Sequence, residues 1–274
     1  MFRRLLIVSV VALCLTSGGL EAASRITAQS VVVLDPVSDR ALYAKAPQLR
    51  HAPASTAKLL TAMIAIDRLG LNKVVRVPRI VRSIPPSKVD LRPGERYKVG
   101  ALIKAMLMRS ANDAAAVLAI ATAGSRKSFA ELMNKKARSI GCNHSNFVRR
   151  SGLPARGQAT TAYDMALVSR AAARYDFIIE IMERKHARIQ SESGRRITLK
   201  NSNRLLWQSK YNVLGKTGFT RRARHCFVGI VESKSGPSVR VGTGQPIADV
   251  FVAGYTAGCP TTARRAPKNN HAQS

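Results

Sequence analysis

Three short motifs occur in order along the chain, and their side chains suit acyl transfer through a serine. They are Ser55-Thr56-Ala57-Lys58, Ser110-Ala111-Asn112 and Lys216-Thr217-Gly218. Each motif alone occurs by chance in many proteins. The ordered triple is typical of active-site serine enzymes in which a lysine does the work that a histidine does in other hydrolases. We therefore predict that the three motifs meet in one catalytic site.

The first motif offers a nucleophile and a base. Serine is a poor nucleophile until a neighbouring group takes its proton. Ser55 precedes an apolar run that starts at Leu59, so it is expected at a helix start, with Lys58 on the same face. Lysine acts as a base only if burial or a nearby cation, for which Lys216 is a candidate, lowers its pKa. The ordinary alternative for this pair alone is a helix cap and a solvated lysine.

The second motif falls at a corner between two segments of helical periodicity. Short polar side chains at such a corner can face a cleft. Ser110 is a candidate to relay a proton to the leaving amine, and Asn112 to bind both Lys58 and a substrate amide. Taken alone, both residues also suit simple helix caps.

The third motif leads into the apolar run 226–231, which predicts a strand, a loop and a neighbouring strand. A Lys-Thr pair on an edge strand can hold a carboxylate, with Lys216 as the charge and the Thr217 hydroxyl as a donor. Gly218 leaves room for a substrate backbone to lie close to the strand.

Over about residues 28–232, the chain resembles the serine D-alanyl-D-alanine carboxypeptidases of the low-molecular-mass penicillin-binding protein family. Five further stretches are similar to that family: VVVLD (31–35), LRPGE (91–95), LMN (132–134), SGLP (151–154) and NSNRLL (201–206). The resemblance implies peptidoglycan stem peptides ending in D-Ala-D-Ala as substrates and β-lactam antibiotics as covalent inhibitors. It implies no cofactor and no metal.

The resemblance also implies a role for each motif residue. The catalytic set is Ser55 as acylated nucleophile, Lys58 as base, and Ser110 and Asn112 as proton relay and substrate holder. The substrate-binding set is Lys216, Thr217, Gly218 and Phe219. The backbone N–H groups of Ser55 and Phe219 would form the oxyanion hole.

The predicted elements follow a mixed α/β order. Strands are expected near 30–36, 40–45, 73–77, 185–190, 195–199, 213–217, 225–232 and 238–242. Helices are expected near 55–69, 98–109, 112–123, 128–140 and 161–174. Helices between an early hairpin and late strands predict one antiparallel sheet with an inserted helical lobe, of the β-lactamase/transpeptidase-like α+β class.

The two ends of the chain differ from its middle. Met-Phe-Arg-Arg followed by a short apolar stretch predicts a signal peptide over 1–23, too short to span a bilayer. The catalytic domain is expected over 24–258 and a disordered basic tail over 259–274, with no recognised C-terminal membrane anchor. We therefore expect export to the periplasm or the outer face of the cell envelope.

Net charge is +30, whereas aromatic residues make up only 5% of the chain. A nucleic-acid binder would interleave aromatics with a basic stripe, so that class is not favoured. The charge fits either a basic proteome or attraction to anionic envelope polymers.

Three cysteines follow the predicted signal peptide, so the chain has no full disulfide framework. Pairing of Cys226 with Cys259 stays open. Cys142 and His144 lie close in sequence, but no other ligand-type grouping completes a metal site.

Three alternatives to a carboxypeptidase stay open. A D,D-endopeptidase that cuts peptidoglycan cross-links would use the same site. A class A β-lactamase would need a glutamate in an E-x-x-L-N context, and Glu131-Leu132-Met133-Asn134 has the wrong spacing. The third is a non-catalytic envelope-binding protein on a decayed enzyme fold.

Overall fold

The computed structural model describes residues 28–35, 40–209 and 212–232. Its strands are β1 (Val31–Leu34), β2 (Ala41–Lys45), β3 (Val74–Arg76), β4 (Arg96–Lys98), β5 (His186–Gln190), β6 (Arg196–Lys200), β7 (Asn212–Thr220) and β8 (Arg224–Glu232). Its helices are α1 (Lys58–Leu69), α2 (Val99–Met108), α3 (Asn112–Ala123), α4 (Arg126–Ser139), α5 (Ala162–Ala172), α6 (Asp176–Glu183) and α7 (Leu205–Gln208). Short 3-10 helices cover Ala54–Ala57 and Arg79–Ser83.

Helix α1 runs through the centre of the core and carries the first motif at its start. It packs against α2, α3, α4 and α5, and its residues from Lys58 to Ala65 are all buried. Helix α2 is also buried over most of its length, and α3 is rich in alanine, which lets neighbouring helices approach closely. Burial of this large apolar surface fixes the start of α1, because non-polar area removed from water is the main favourable term in folding.

The strands are all antiparallel, and the predicted mixed α/β class is confirmed. Within the described residues, hydrogen bonding divides them into four two-stranded pairs rather than one continuous sheet: β1-β2, β3-β4, β5-β6 and β7-β8. Strands β1 and β8 both pack against α5, so the early and late strands share one helical neighbour. The β7-β8 pair also packs against the 3-10 turn at Ala54–Ala57, which brings the third motif to the first.

Sequence periodicity locates the long helices to within about two residues. The start of the expected helix over 55–69 is instead a 3-10 turn. Thr161 caps the start of α5, since its Oγ1 accepts a hydrogen bond from the Asp164 backbone N–H at 3.1 Å.

Four short elements escape the sequence analysis: β4, α6, α7 and the 3-10 helix Arg79–Ser83. Three of them have five residues or fewer, which is too short for a reliable pattern of apolar residues. Helix α6 does show helical spacing of its buried residues, at Ile178, Ile181 and Met182, and could have been predicted. The expected strand over 238–242 and both predicted end segments, 1–23 and 259–274, lie outside the described residues. In the part of the chain that the structure describes, no helix is long and apolar enough to cross a membrane.

Candidate active site

Ser55 lies in a tight turn that two glycines enclose. The turn Ala54–Ala57 is 3-10, and Thr56 Oγ1 closes it by donating to the Pro53 carbonyl. A Cβ added at Gly152 would lie 1.5 Å from the Ala54 carbonyl oxygen, and one added at Gly218 would lie 2.8 Å from the Ser55 backbone N. Both neighbouring segments therefore need glycine to approach the nucleophile. Ser55 itself remains half-buried, so its hydroxyl stays accessible.

The side-chain nitrogen of Lys58 lies at the centre of the site. Its Nζ lies 2.8 Å from Ser55 Oγ, 2.8 Å from Asn112 Oδ1 and 3.1 Å from the Ser151 carbonyl oxygen. A charged ammonium would donate to all three oxygens. A neutral amine would donate to Asn112 and Ser151 and would present its lone pair to the Ser55 hydroxyl proton. This geometry is the one that a general base needs.

The electrostatics of Lys58 favour the neutral form. The side chain is fully buried, and this burial lowers its pKa well below the usual value. The nearby cations Lys216 and Arg150 lower the pKa further, whereas Asp113 acts in the opposite direction. Arg150 is itself partly buried, its Nε has no hydrogen-bond partner among the described residues, and burial lowers its pKa to about 10.

Asn112 orients Lys58 and also binds the loop at Pro85 and Pro86, which borders the cleft. Its Nδ2 donates to the carbonyl oxygens of Pro85 at 3.2 Å and Pro86 at 2.8 Å, while Oδ1 accepts from Lys58. Both amide protons are thus used within the protein. The second motif predicts that Asn112 binds both Lys58 and a substrate amide. A substrate N–H would have to use the second lone pair of Oδ1.

Asp113, the next residue along the chain, binds the same loop further on. Its buried carboxylate accepts from the backbone N–H groups of Val89 at 3.2 Å and Leu91 at 3.1 Å. The start of α3 therefore anchors the loop from Pro85 to Leu91, which contains part of the LRPGE stretch. A carboxylate in the first helical turn also interacts favourably with the helix dipole.

Ser110 occupies the corner that the sequence predicts between α2 and α3. It is half-buried with φ of +58°, which reverses the chain between the two helices. No hydrogen bond from its hydroxyl to another described residue is present, so Oγ is available to a ligand.

Lys216 is more deeply buried than a carboxylate-binding role alone would suggest. It is 1% exposed, and its Nζ donates to the Thr217 carbonyl oxygen at 2.7 Å. Burial lowers its pKa to about 7, so Lys216 titrates near neutrality in the ligand-free protein. A carboxylate that arrives beside it would favour the protonated form.

Ser202 is a site residue that the motif reasoning did not assign. Its hydroxyl lies 3.4 Å from Thr217 Oγ1, and its backbone N–H donates to the Met108 carbonyl oxygen at 2.9 Å. The adjacent Asn203 ties this segment to β7, because its Nδ2 donates to the Val213 carbonyl oxygen. The NSNRLL stretch was the available signal, although its contact partners could not be read from it.

Phe219 follows Gly218 on β7 at the mouth of the site. Its side chain is 57% exposed, and its ring centroid lies 4.6 Å from that of His225 on β8. Because Gly218 abuts the nucleophile turn, the next backbone N–H on β7 belongs to the same cleft as Ser55.

The cysteines raise two further kinds of chemistry, a metal site and a disulfide. Among the described residues, no group of three or more His, Cys, Asp or Glu side chains is placed to hold a metal ion. Cys142 is buried with its Sγ 3.3 Å from the Asp164 carbonyl oxygen, and burial raises the pKa of its thiol. Cys259, the candidate partner of Cys226, lies outside the described residues.

A family profile and several individual relatives match this chain, and they agree on one family. The profile of the Peptidase_S11 family, described as D-alanyl-D-alanine carboxypeptidase, matches residues 19–244. The D-alanyl-D-alanine carboxypeptidase DacB2 of Mycobacterium tuberculosis is 33% identical over 204 residues, which cover 74% of this chain and 69% of that protein. DacF of Bacillus subtilis is 30% identical over 82% of this chain, but the match spans only 57% of DacF. The D-alanyl-D-alanine endopeptidase of Escherichia coli is 32% identical over 74% of this chain and 66% of its own length.

Solved structures agree with the sequence relatives. A crystal structure of a D-alanyl-D-alanine carboxypeptidase from Mycobacterium tuberculosis superimposes with a TM-score of 0.68 at 31% identity, covering 73% of this chain and 75% of that one. The Streptomyces K15 DD-transpeptidase shares the fold with a TM-score of 0.66 at 24% identity, covering 73% and 83% of the two chains. The chain therefore belongs to the D-alanyl-D-alanine carboxypeptidase family.

Proposed function

We propose that this protein is a serine-type D-Ala-D-Ala carboxypeptidase that trims peptidoglycan stem peptides through an acyl-enzyme on Ser55. The observation that carries the proposal is the 2.8 Å separation between Lys58 Nζ and Ser55 Oγ, at a lysine whose pKa is lowered well below its usual value by burial. Family membership and relatives named D-alanyl-D-alanine carboxypeptidases support the same reaction.

Acylation begins with transfer of the Ser55 hydroxyl proton to the neutral Lys58 amine. Ser55 Oγ then forms a bond to the carbonyl carbon of the penultimate D-alanine. The negative charge on the carbonyl oxygen is stabilised by the backbone N–H groups of Ser55 and Phe219. The C–N bond breaks, and the terminal D-alanine leaves as an amine after it receives a proton through Ser110. Water then hydrolyses the ester and regenerates the serine hydroxyl.

The terminal carboxylate of the substrate would bind at the start of β7. Lys216 supplies the positive charge, and the hydroxyl groups of Thr217 and Ser202 supply hydrogen bonds. Gly218 lets the peptide backbone lie against the strand. A β-lactam carries a carboxylate and a strained amide in a similar relation, so it would acylate Ser55 in the same way.

The position of Glu131 argues against the class A β-lactamase alternative, which would need a glutamate close to Ser55. Glu131 is exposed on α4, and Asn134 exchanges hydrogen bonds with the backbone of Phe147 at 2.8 and 2.9 Å. These residues therefore stabilise the α4 region instead of preparing a water near Ser55. We expect the penicillin ester to be long-lived for this reason.

An endopeptidase that cuts cross-links is the second candidate, because one relative at 32% identity is named a D-alanyl-D-alanine endopeptidase. Mass spectrometry of muropeptides, after incubation with the purified protein, separates the two activities. A carboxypeptidase removes one D-alanine from monomeric pentapeptides. An endopeptidase converts cross-linked dimers to monomers. If neither product forms with unlabelled protein from a preparation in which a separate sample is acylated by penicillin, the proposed hydrolysis is wrong and a non-catalytic binding role is favoured.

The same proposal includes export and a division of the chain. Residues 1–23 would be removed on export to the periplasm or the outer envelope face, 24–258 would form the catalytic domain and 259–274 a basic tail. Mass spectrometry of the N-terminal peptide from the envelope fraction tests the cleavage, which is expected near Ala22 or Ala23.

The net charge of +30 would hold the enzyme near anionic envelope polymers. Charge-based attachment weakens with salt, because the screening length falls from about 8 Å at physiological ionic strength to about 3 Å at 1 M. Co-sedimentation with purified cell walls should therefore fall steeply as salt rises. Wall binding that does not change with salt would contradict this attachment.

A further inference from the structure

The turn between β7 and β8 places an unusual concentration of positive charge beside the site. Between Thr220 and His225 the chain contains Arg221, Arg222 and Arg224 and no acidic residue. All three arginines are exposed. None of them forms an ion pair with a carboxylate of the described residues. Their charge is therefore available to a ligand.

This turn is a fixed part of the hairpin. The β7-β8 register continues to its end, with Phe219 opposite His225 and Thr220 opposite Arg224. The backbone N–H of Ala223 donates to Thr220 Oγ1 at 2.9 Å, and the Ala223 side chain is only 3% exposed. The arginines therefore project from a hydrogen-bonded turn whose position relative to Gly218 and the Ser55 turn is set by the strands.

An exposed aromatic surface lies between the turn and the nucleophile. Phe219 is 57% exposed and contacts the His225 ring at a centroid distance of 4.6 Å. A ligand that covers these two rings would remove their apolar surface from water, which favours binding. The Phe219-His225 pair and the arginines are thus adjacent apolar and cationic surfaces.

The proposed reaction gives the direction in which a substrate runs. Its terminal carboxylate lies at Lys216 and Thr217, and its scissile carbonyl lies at the Phe219 N–H. Residues that precede the scissile bond must then extend along β7 beyond Phe219, towards the turn. A strand advances by about 3.3 Å per residue, so the turn lies within reach of the two or three residues upstream of the cleaved bond.

We propose, on the basis of the proposed function, that the Arg221, Arg222 and Arg224 turn together with Phe219 and His225 is a subsite for the upstream part of the stem peptide. This subsite selects peptides that carry a free carboxylate there over peptides in which that carboxylate is amidated. Exposed charge pairs contribute modestly and are screened by salt, so the expected preference is about threefold to tenfold at low ionic strength.

Two synthetic peptides test the subsite. Acetyl-Glu-D-Ala-D-Ala and acetyl-Gln-D-Ala-D-Ala differ by one charge at the residue before the cleaved dipeptide. The wild-type protein should show a kcat/KM about threefold to tenfold higher for the glutamate peptide, mainly through KM. The difference should shrink in 0.5 M salt.

Matched variants locate the preference. The R221Q/R222Q double variant retains only Arg224 of the three, so it should lose most of the preference as kcat/KM for the glutamate peptide falls towards that of the glutamine peptide. The R68Q/R138Q double variant removes the same charge from exposed positions at the ends of α1 and α4, and should keep the preference. Equal kcat/KM for the two peptides in the wild type, or a preference of unchanged size in R221Q/R222Q, would overturn the subsite. Hydrolysis of neither peptide, with no penicillin ester on Ser55, would reject the proposed function itself.

Discussion

The α-carbon of Gly152 lies so close to the Ala54 carbonyl that a Cβ there would be 1.5 Å from its oxygen. Ala54 precedes Ser55 and has φ of +46°, so Gly152 buttresses the backbone turn that presents Ser55. The SGLP stretch also supplies the Ser151 carbonyl to Lys58. One loop thereby positions both Ser55 and Lys58, the proposed nucleophile and base.

Replacement of Gly152 by alanine should therefore damage stability and acylation together. Gly124 is the matched control, because its φ of +72° is close to the +76° of Gly152 but nothing lies within 4 Å of its added Cβ. Gly124→Ala should cost about 1 kcal/mol, which is the backbone effect alone. Gly152→Ala should cost more in chemical denaturation and should slow penicillin acylation. Equal effects of the two variants would contradict the buttress.

The two buried lysines should respond differently to replacement by arginine. Lys58→Arg places a permanent cation where a base is needed, so acylation should fall by about 10²-fold to 10⁴-fold. Lys216→Arg keeps a positive charge for the carboxylate, so it should weaken binding and retain measurable turnover. Stopped-flow acylation with a fluorescent penicillin measures both. Losses of the same size would show that the roles of the lysines are not divided in this way.

The pH dependence of acylation should reflect Lys216. Its pKa of about 7 means that the ligand-free protein loses this positive charge as pH rises through neutrality. The second-order rate constant for an anionic penicillin should therefore fall above about pH 7. In Lys216→Arg this falling limb should disappear, because arginine stays protonated. A falling limb that is unchanged in the variant would assign it to another group.

Burial of Lys216 also predicts a pH-dependent stability. Between about pH 7 and its unfolded pKa of 10.5, the unfolded chain holds a proton that the folded chain lacks, so the folded state gains stability as pH rises. The gain is at most about 1.4 kcal/mol per pH unit for one group. Urea denaturation at several pH values should show this rise for the wild type relative to Lys216→Met. A constant difference between the two proteins across pH 7.5–9.5 would be the opposite result.

Much of this site can be predicted from local sequence. Ser55 and Lys58 lie three residues apart at a helix start, and that spacing alone predicts their contact. The apolar periodicity of α1, α2 and α3 locates the helices that present two of the motifs. The apolar run 226–231 that follows the third motif likewise predicts the β7-β8 hairpin.

Long-range packing explains what the sequence could not show. The Asn112 side-chain amide donates to the backbone carbonyls of Pro85 and Pro86, and backbone acceptors leave no mark in the residue types. The burial of Lys216, and hence its lowered pKa, depends on how α2, α6 and β7 pack. Likewise, the three-residue strand β4 is too short for a periodicity of its own, and its pairing with β3 defines it.

The most direct test of the central claim is the site of penicillin attachment. Intact-protein mass spectrometry and peptide mapping after incubation with benzylpenicillin should show one adduct, on the peptide that contains Ser55. Ser55→Ala, shown by circular dichroism to be folded, should acquire none. An adduct on another residue, or labelling that persists in Ser55→Ala, would contradict the assignment of Ser55 as the nucleophile.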